Sequence, residues 1–286
     1  MPFTAKDLVS AVSDIVSLPE TVLRVNEMVD DTHSSAADIG EIIRQDPGLT
    51  ARLLRIANSP FYGFPSRIDN VPIAITVIGT NQLRDLLLAT STIQVFSDFP
   101  NGIVSMETFW RHSLRCAIIA RSLAAHLHET NVECYFTAGL LHDIGYLIIY
   151  REIPEMARRA LKRSNQNRDS VHLVEQEIIG FDHGAVGGEL LRQWNLPSTL
   201  SETVEFHHTP RFAKQHPKEA AIIHIANYLA NTMLANIGGD IEETEALEVS
   251  ALKTAGLTPD ILQSVLKEAE AQFKETLEIM VYDEVA

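Results

Sequence analysis

Apolar residues recur at helical spacing along almost the whole of this 286-residue chain. Strict alternation of apolar and polar residues, the pattern of a half-buried strand, never extends beyond a few positions. Helix-boundary signals accompany the spacing. Ser35 opens a Ser-Ala-Ala-Asp capping box, Asp46-Pro47 offers an N-cap followed by proline, Gly79 marks a helix end, and Ser105 and Thr258 mark helix starts. We therefore predict an all-α fold.

Charge and composition narrow the partners that the chain can have. Lys and Arg total 23 against 38 Asp and Glu, which gives a net charge of −15. This charge disfavours nucleic acid and acidic membrane surfaces, since both are bound through Lys and Arg. Two cysteines without a CxxC motif indicate a reduced, cytosolic protein. No run of 18 apolar residues and no signal-peptide pattern is found, so we predict a cytoplasmic protein without a membrane span.

The chain divides into three zones by composition. Residues 1–103 form a front helical subdomain, and residues 104–236 hold nearly all the histidines. Residues 237–286 are acidic, with 12 Asp and Glu against 3 Lys. We interpret this last zone as a solvated helical extension, and the alternative is a tail that binds a partner.

One histidine lies on a stripe of the helix that begins after Ser105. Phe109, His112, Cys116, Ile119 and Leu123 follow one another at intervals of three and four residues. His112 should therefore face the interior. Taken alone, it is more simply a core histidine with a hydrogen-bond partner than a metal ligand.

His142 and Asp143 lie within the apolar segment AGLLHDIGYLIIY, which we expect to be helical. An ionised carboxylate buried there costs several kcal/mol unless it is paired or binds a cation. A His-Asp pair is common in sequences, but in this setting a metal ion becomes a reasonable partner.

Three further histidines are placed near helix ends. Asp182 is expected to cap a helix whose first turn holds His183, and the next helix ends before His207-His208. Each histidine alone could complement a helix dipole or pack in the core. Together, five histidines and one buried Asp favour a metal centre.

The order and setting of these residues resemble the HD superfamily of metal-dependent phosphohydrolases. The segment LLRIANSPFYGFPSRIDNVPIAITVIGTNQLRDLLLATS and the helix FWRHSLRCA are similar to the signature of the HDOD family, the HD-related output domains of bacterial signalling proteins. The resemblance runs from about Leu18 to about residue 215. It implies a front helical subdomain packed on an HD-like core.

The resemblance implies two metal positions that share Asp143. One ion would take His183, His207 and His208 together with this carboxylate. Four protein ligands would close a tetrahedral site, which is then structural and not catalytic. Histidine-rich ligation suits Fe, Mn, Zn, Ni or Co better than Mg, and we expect one or two such ions.

The second position would take His112, His142 and a residue from a later helix, which is best filled here by Asn227. Asparagine is a weaker ligand than aspartate. Tyr146 stands where catalytic relatives often carry Lys, and Thr209 follows the paired histidines where they carry Gly-Tyr-Pro. These departures count against a cyclic-dinucleotide phosphodiesterase.

The resemblance therefore implies a regulator of signal transduction that binds a signalling protein partner or a nucleotide-like ligand and is weakly catalytic or inactive. The rival function is phosphodiester or nucleotide hydrolysis by metal-activated water. A third alternative is a structural adaptor that binds no ligand.

Two other features have alternatives that the sequence leaves open. A basic helix face could grasp phosphate or could simply be solvated; its residues are Arg158, Arg159, Lys162 and Arg163. The NSPFYG loop could dock a partner or pack between the two subdomains. The remaining histidines of the second zone have no shared spacing with the cluster and are expected to be ordinary; they are His126, His128, His172, His216 and His224.

Overall fold

The computed structural model describes residues 3–13, 15–58, 62, 64, 66–97, 103–236 and 247–277, and these ranges contain helices and no strand. The all-α prediction is confirmed. The helices are α1 (Ala5–Ala11), α2 (Glu20–Asp30), α3 (Ala36–Arg44), α4 (Pro47–Ala57), α5 (Val71–Ile78), α6 (Thr80–Ser97), α7 (Met106–His126), α8 (Val132–Leu141), α9 (Ile144–Glu152), α10 (Pro154–Asn167), α11 (Val171–Ile178), α12 (His183–Gln193), α13 (Ser198–Glu205), α14 (Pro217–Asn236), α15 (Val249–Ala255) and α16 (Pro259–Leu277).

Side-chain caps begin several helices where the sequence predicts them. Ser35 accepts the Asp38 backbone N–H and completes a capping box, and Asp46 accepts from Leu49. Ser105 caps α7. Each such bond satisfies one of the backbone donors that a helix start leaves without an intrahelical partner.

Helix α7 is the centre of the fold. It packs against α8, α14 and α16, so it is covered on several sides. Phe109, Cys116, Ile119 and Leu123 are buried, and His112 is largely buried with 14% of its side chain exposed. The predicted inward stripe is confirmed, and His112 is at its edge.

The segment that carries His142 and Asp143 departs from the expected continuous helix. Helix α8 ends at Leu141 and α9 begins at Ile144, with His142 and Asp143 at the junction. The Asp143 backbone has φ −98° and ψ 4°, outside helical geometry. The break aims both polar side chains into the interior instead of distributing them around one helix.

Helices α9 and α12 cross in very close contact. A Cβ atom added to Gly145 would overlap the His183 carbonyl oxygen and would lie 2.7 Å from the Gly187 backbone nitrogen. The absence of a side chain at this crossing brings the start of α9, next to Asp143, against the first turn of α12, which holds His183. Gly187, in the helix that His183 begins, lies at the same crossing.

Long-range hydrogen bonds join the front helices to the rest. Thr137 Oγ1 donates to the Asp85 carbonyl oxygen at 2.9 Å, which ties α8 to α6. Trp194 Nε1 donates to the Val16 carbonyl at 3.1 Å. Helix α1 itself packs on α12. The divisions at 103/104 and 236/237 remain predictions, and residues 237–246 lie outside the described ranges.

One long apolar stretch could cross a membrane by length and composition alone. It spans Val132–Glu152, and 89% of its most apolar window is buried inside the protein. This stretch is α8 and α9 with the break between them. Its apolar side chains are therefore covered by neighbouring helices.

Candidate metal centre

Asp143 lies at the centre of the predicted cluster. Its Oδ2 is 3.0 Å from His142 Nε2 and 3.5 Å from His112 Nε2. Its Oδ1 is 3.3 Å from His183 Nε2 and 3.7 Å from His207 Nε2. One carboxylate thus faces four imidazoles from four separate parts of the chain. The two oxygens divide them into two pairs, as a bridging ligand would.

The first donor set is complete in the structure. One ligand atom each from Asp143, His183, His207 and His208 lies within 4.8 Å of the others, and all four residues are buried. The Nε2 atoms of His183 and His208 are 2.7 Å apart and share a hydrogen bond. A cation bound at these two nitrogens would displace the proton that they share.

Two histidines are oriented by the backbone so that one nitrogen is left for the site. His142 Nδ1 is 2.8 Å from the Gly139 carbonyl oxygen, and His207 Nδ1 is 2.7 Å from that of Val204. A carbonyl only accepts, so each Nδ1 carries a proton and each Nε2 is turned into the site. Burial lowers the pKa of His142, but Asp143 raises it well above the ordinary value, and His142 Nε2 faces Asp143 Oδ2 at 3.0 Å. His207 Nε2 and Asp143 Oδ1 are buried without a hydrogen bond in the described structure.

These orphaned atoms test whether the residues fit a metal ion. Buried polar atoms normally have partners, and two without one at the same cluster need an explanation. A cation would satisfy both of them at once. The donor set of imidazole nitrogens and one carboxylate fits a transition metal.

Glu175 contacts the cluster directly, and the sequence analysis missed it. Its Oε2 accepts the His183 backbone N–H at 2.9 Å and lies 2.7 Å from His183 Nδ1. Glu175 is buried on α11, eight residues before its partner. A carboxylate behind a ligating imidazole fixes the tautomer and raises its basicity. The signal for Glu175 that was available in the sequence is a glutamate on an otherwise buried face of α11.

Electrostatics leave two of the imidazoles ready to bind a cation. Burial lowers the pKa values of His207 and His208 well below the ordinary value, so both are neutral. Burial acts on His183 in the same direction, but Glu175 and Asp143 raise its pKa above the ordinary value. Burial would raise the pKa of Asp143, yet His142 and His183 hold it well below the usual range. The centre therefore contains an ionised carboxylate.

The second donor set is His112, His142 and Asp143. Burial lowers the pKa of His112 to about 4 against the opposing effect of Asp143, and a hydrogen bond with Asn227 also raises it. Asn227 is fully buried on α14 and accepts from Asn231 at 3.3 Å. The structure thus brings Asn227 beside His112, where the sequence analysis places it.

Aromatic rings enclose the first set. The Tyr146 ring stacks on His183 with centroids 3.6 Å apart and 17° between planes. His172 stacks on His208 at 4.1 Å and 11°. His172 was expected to be ordinary, but it forms a wall of the cluster, and burial lowers its pKa to about 4.

His224 also supports the cluster. Its Nδ1 donates to the His207 carbonyl oxygen at 2.9 Å, and its Nε2 accepts the Glu248 backbone N–H at 3.0 Å. The expectation that His224 is unrelated to the cluster was wrong. Its link to the paired histidines runs through the backbone, which a search for ligand spacing does not detect.

The predicted basic face is on α10, which provides none of the residues of the two donor sets. Arg158 bonds to Glu155 at 2.8 Å, and Arg163 pairs with Glu177. A role of this face, including Arg159 and Lys162, in binding phosphate remains a prediction. In the NSPFYG loop, Tyr62 is half-buried and stacks on Phe64, while the other residues except Asn58 lie outside the described ranges.

Comparison with known families places the chain. A sequence model of the HDOD domain matches residues 15–210, well over half of its length. The chain belongs to the HDOD family. The matched range agrees closely with the resemblance seen in the sequence.

Solved structures share the HDOD fold of this protein. A candidate phosphohydrolase from Shewanella amazonensis is 25% identical with a TM-score of 0.74, covering 98% of each chain. An HDOD domain protein of unknown function from Geobacter sulfurreducens is 22% identical (TM-score 0.72, 96% of this chain and 98% of that one). A candidate signal transduction protein from Marinobacter aquaeolei is 19% identical (TM-score 0.72, 94% and 61%).

A curated relative is longer than this HDOD protein. An uncharacterised protein of Treponema pallidum is 24% identical over 205 residues, which is 71% of this chain and 39% of that protein. The chain therefore spans less than half the length of that relative.

Proposed function

We propose that this HDOD protein is a cytoplasmic regulator in bacterial signal transduction, which binds a protein partner or a nucleotide-like ligand and holds a structural transition-metal ion at its histidine cluster. Membership of a family of signalling output domains supports the first part. The likeness to a candidate signal transduction protein of Marinobacter aquaeolei points the same way.

The burial of the complete donor set is the observation that carries the proposal. His183 and His207 are 0% exposed, and Asp143 and His208 are 5% exposed. Four protein donors fill a tetrahedral coordination sphere and leave no position for water or substrate. Stacked Tyr146 covers the set further. A metal site of this kind supports the stability of the fold and not catalytic turnover.

The second donor set supports the same conclusion. It contains Asn227 where a carboxylate would be the stronger ligand, and no negative charge is added there to balance a second dication. His142 and His112 each provide one imidazole to this set. We therefore propose a single tightly held ion.

A bound ion would cross-link the α8–α9 junction, the start of α12 and the segment after α13. Two hydrogen bonds orient the site before an ion binds. One joins His142, the neighbour of Asp143, to the Gly139 carbonyl oxygen, and the other joins His183 to Glu175. This arrangement would make the core rigid and present a fixed surface to a partner.

Metal analysis of the purified full chain tests the proposal. We expect about one ion per chain, lost in His183→Ala and in His207→Ala, and no turnover of a phosphodiester panel with added Mn or Fe. If alanine at His183 and His207 changes neither the metal content nor the signalling output, the structural-adaptor alternative is correct instead.

A phosphohydrolase is the second candidate, and one observation favours it. The two donor sets share Asp143, and His112, at the edge of the second set, has 14% of its side chain exposed. Two ions bridged by one carboxylate would polarise a phosphoryl oxygen and lower the pKa of water. Two ions per chain, with hydrolysis abolished in a folded His142→Ala variant, would overturn the regulator proposal.

A further inference from the structure

Arg115 is a buried cation next to the metal cluster. It lies on α7 one turn after His112, and the residue is only 6% exposed. Its Nη1 has no contact with solvent and makes no hydrogen bond within the described part of the chain. A guanidinium stays charged and carries five N–H donors, so burial without an acceptor is unfavourable. The missing acceptor points to a ligand.

An aromatic ring supports one face of this guanidinium. The Arg115 Cζ atom lies 4.2 Å from the centroid of the Phe273 ring on α16, and the Arg111 Cζ lies 5.8 Å from the same centroid. A ring below the guanidinium plane holds it by a cation–π contact and leaves its in-plane N–H groups available. Phe273 therefore anchors the Arg115 guanidinium against α16, while Nη1 lacks an acceptor within the described part of the chain.

Arg111 adds a second positive charge four residues earlier on α7. Its side chain is 35% exposed and its Nη1 is 3.5 Å from Glu107 Oε1 on the helix surface. His112, which is 14% exposed, is between the two arginines in sequence. Arg111 and His112 are thus the partly exposed neighbours of the buried Arg115 on α7.

Two carboxylates lie near the two arginines, Glu107 beside Arg111 and Glu270 near Arg115. Burial is the main cause that lowers the pKa of Arg115, Arg111 lowers it further, and Glu270 on α16 opposes them. Burial lowers the pKa of His112, and the charge of Arg115 lowers it further. Arg115 is therefore within electrostatic range of the cluster.

We propose that Arg115 and Arg111 bind a phosphate group, free or carried by a nucleotide-like ligand, at the edge of the metal cluster between α7 and α16. Arginine is the side chain best suited to bidentate contact with phosphate oxygens. The proposal rests on the regulatory function above, because it names the ligand class that would be sensed. Phe273 lies outside the matched residues 15–210, so this chain's own C-terminal extension completes the site.

Calorimetric titration of the full chain tests the site, with inorganic phosphate and AMP as probes and with both metal-free and metal-loaded protein. We expect saturable binding without metal. Arg115→Met should weaken it at least tenfold, and Arg115→Lys should weaken it less, because lysine keeps the charge but loses the planar fork. The control Arg44→Met removes an exposed arginine of α3 and should change nothing. Tighter binding of AMP than of phosphate identifies a nucleotide; equal binding identifies free phosphate.

Absence of binding by both probes, or equal binding by wild type and a folded Arg115→Met, overturns the proposal. Circular dichroism melting checks the fold of each variant. If Arg115→Met does not fold, the variants Arg111→Met and Phe273→Leu test the proposal instead. Each keeps Arg115 and should weaken phosphate binding severalfold. Unchanged binding in both variants overturns the site. Metal content separates the phosphate-site proposal from the structural-ion proposal. The metal content of Arg115→Met should equal that of the wild type. If the structural-ion proposal fails, the wild type will contain no metal and will still bind phosphate.

Discussion

At the scale of single residues, His183 is held from both ring nitrogens. Nδ1 faces Glu175 Oε2 at 2.7 Å, while Nε2 faces Asp143 and His208. The same Glu175 oxygen accepts the His183 backbone N–H at 2.9 Å. One carboxylate thus sets the position of the residue, the rotation of its ring and the location of its proton. We expect metal affinity to depend on this support almost as much as on the ligands.

Replacing Glu175 with Gln should weaken metal binding by about 10- to 100-fold, the usual effect of removing the carboxylate behind a ligating histidine. Glutamine has nearly the same size but provides no charge to raise the basicity of His183. Competition titration against a chelator of known affinity measures the change. Glu177→Gln on the same helix, where the side chain is exposed, serves as the control. Equal affinities in both variants would show that Glu175 has no such role.

The sequence predicts the histidines of the site better than their supports. His112, His142, His183 and the paired histidines are visible because they lie in apolar segments or near helix ends and because their order resembles that of the HD superfamily. Glu175 precedes its partner by eight residues across a turn, and the contact exists only because α11 folds back toward α12. No periodicity encodes that contact.

At the scale of helices, the position of Gly145 decides how closely α9 and α12 approach. A side-chain carbon there would overlap the His183 carbonyl oxygen. We expect Gly145→Ala to destabilise the fold by about 2–4 kcal/mol, within the range of severe overpacking, and to lower metal affinity because His183 moves. Denaturant unfolding and metal titration measure the two effects.

Gly48→Ala is the matched control for this prediction. A Cβ atom there would meet only an Asp46 side-chain oxygen at 3.4 Å, an ordinary contact. Alanine has a higher helix propensity than glycine by about 1 kcal/mol, so this variant should be neutral or more stable. A Gly145→Ala variant as stable as Gly48→Ala would mean that the crossing tolerates a side chain.

Glu202 on α13 holds the segment that leads into α14. Its carboxylate accepts the backbone N–H groups of Lys214, Gln215 and His216 at 2.9, 2.9 and 2.7 Å. Burial raises the pKa of this group, but the three donors outweigh it and lower the pKa below the ordinary value of 4.5. Charge on Glu202 is therefore favoured in the folded state.

Glu202→Gln should lower the stability at neutral pH by about 1 kcal/mol, a modest value because the carboxylate is near solvent. Because the folded pKa is the lower one, this contribution is present above the unfolded pKa and is lost as the pH falls through the folded value. Urea unfolding at a series of pH values should show wild type and variant converging below about pH 4.5. A constant difference down to pH 3 would contradict the linkage.

Helix boundaries illustrate what local sequence determines. Ser35, Asp46 and Asp182 cap helices as predicted because the capping bond spans only three residues. The break at His142-Asp143 was not predicted, since neither residue is Gly or Pro and the apolar spacing continues on both sides. Tertiary packing around the buried carboxylate, which the spacing does not report, accounts for the difference.

At the scale of the molecule, a buried polar network joins the front helices to the histidine-bearing helices. The Asp85 carboxylate accepts from Arg84 Nε at 3.2 Å and from Asn131 Nδ2 at 2.9 Å, and the Asp85 carbonyl accepts from Thr137. Burial raises the pKa of Asp85, while Arg84 and Asn131 oppose this effect. The network spans the predicted 103/104 division, so we expect both sides to unfold together.

Asp85→Asn should therefore destabilise the whole chain by about 3 kcal/mol, because Arg84 loses a charged partner inside the protein. The exposed Asp260→Asn on α16 is the control and should change stability by less than about 0.5 kcal/mol. Tryptophan fluorescence reports on Trp110 and Trp194 beyond the division, while hydrogen exchange reports on α2–α6 before it. Both probes should give one coincident transition in wild type and in variant. If the front helices lose protection at a lower denaturant concentration than the tryptophans, the two parts are independent units, and the network does not couple them.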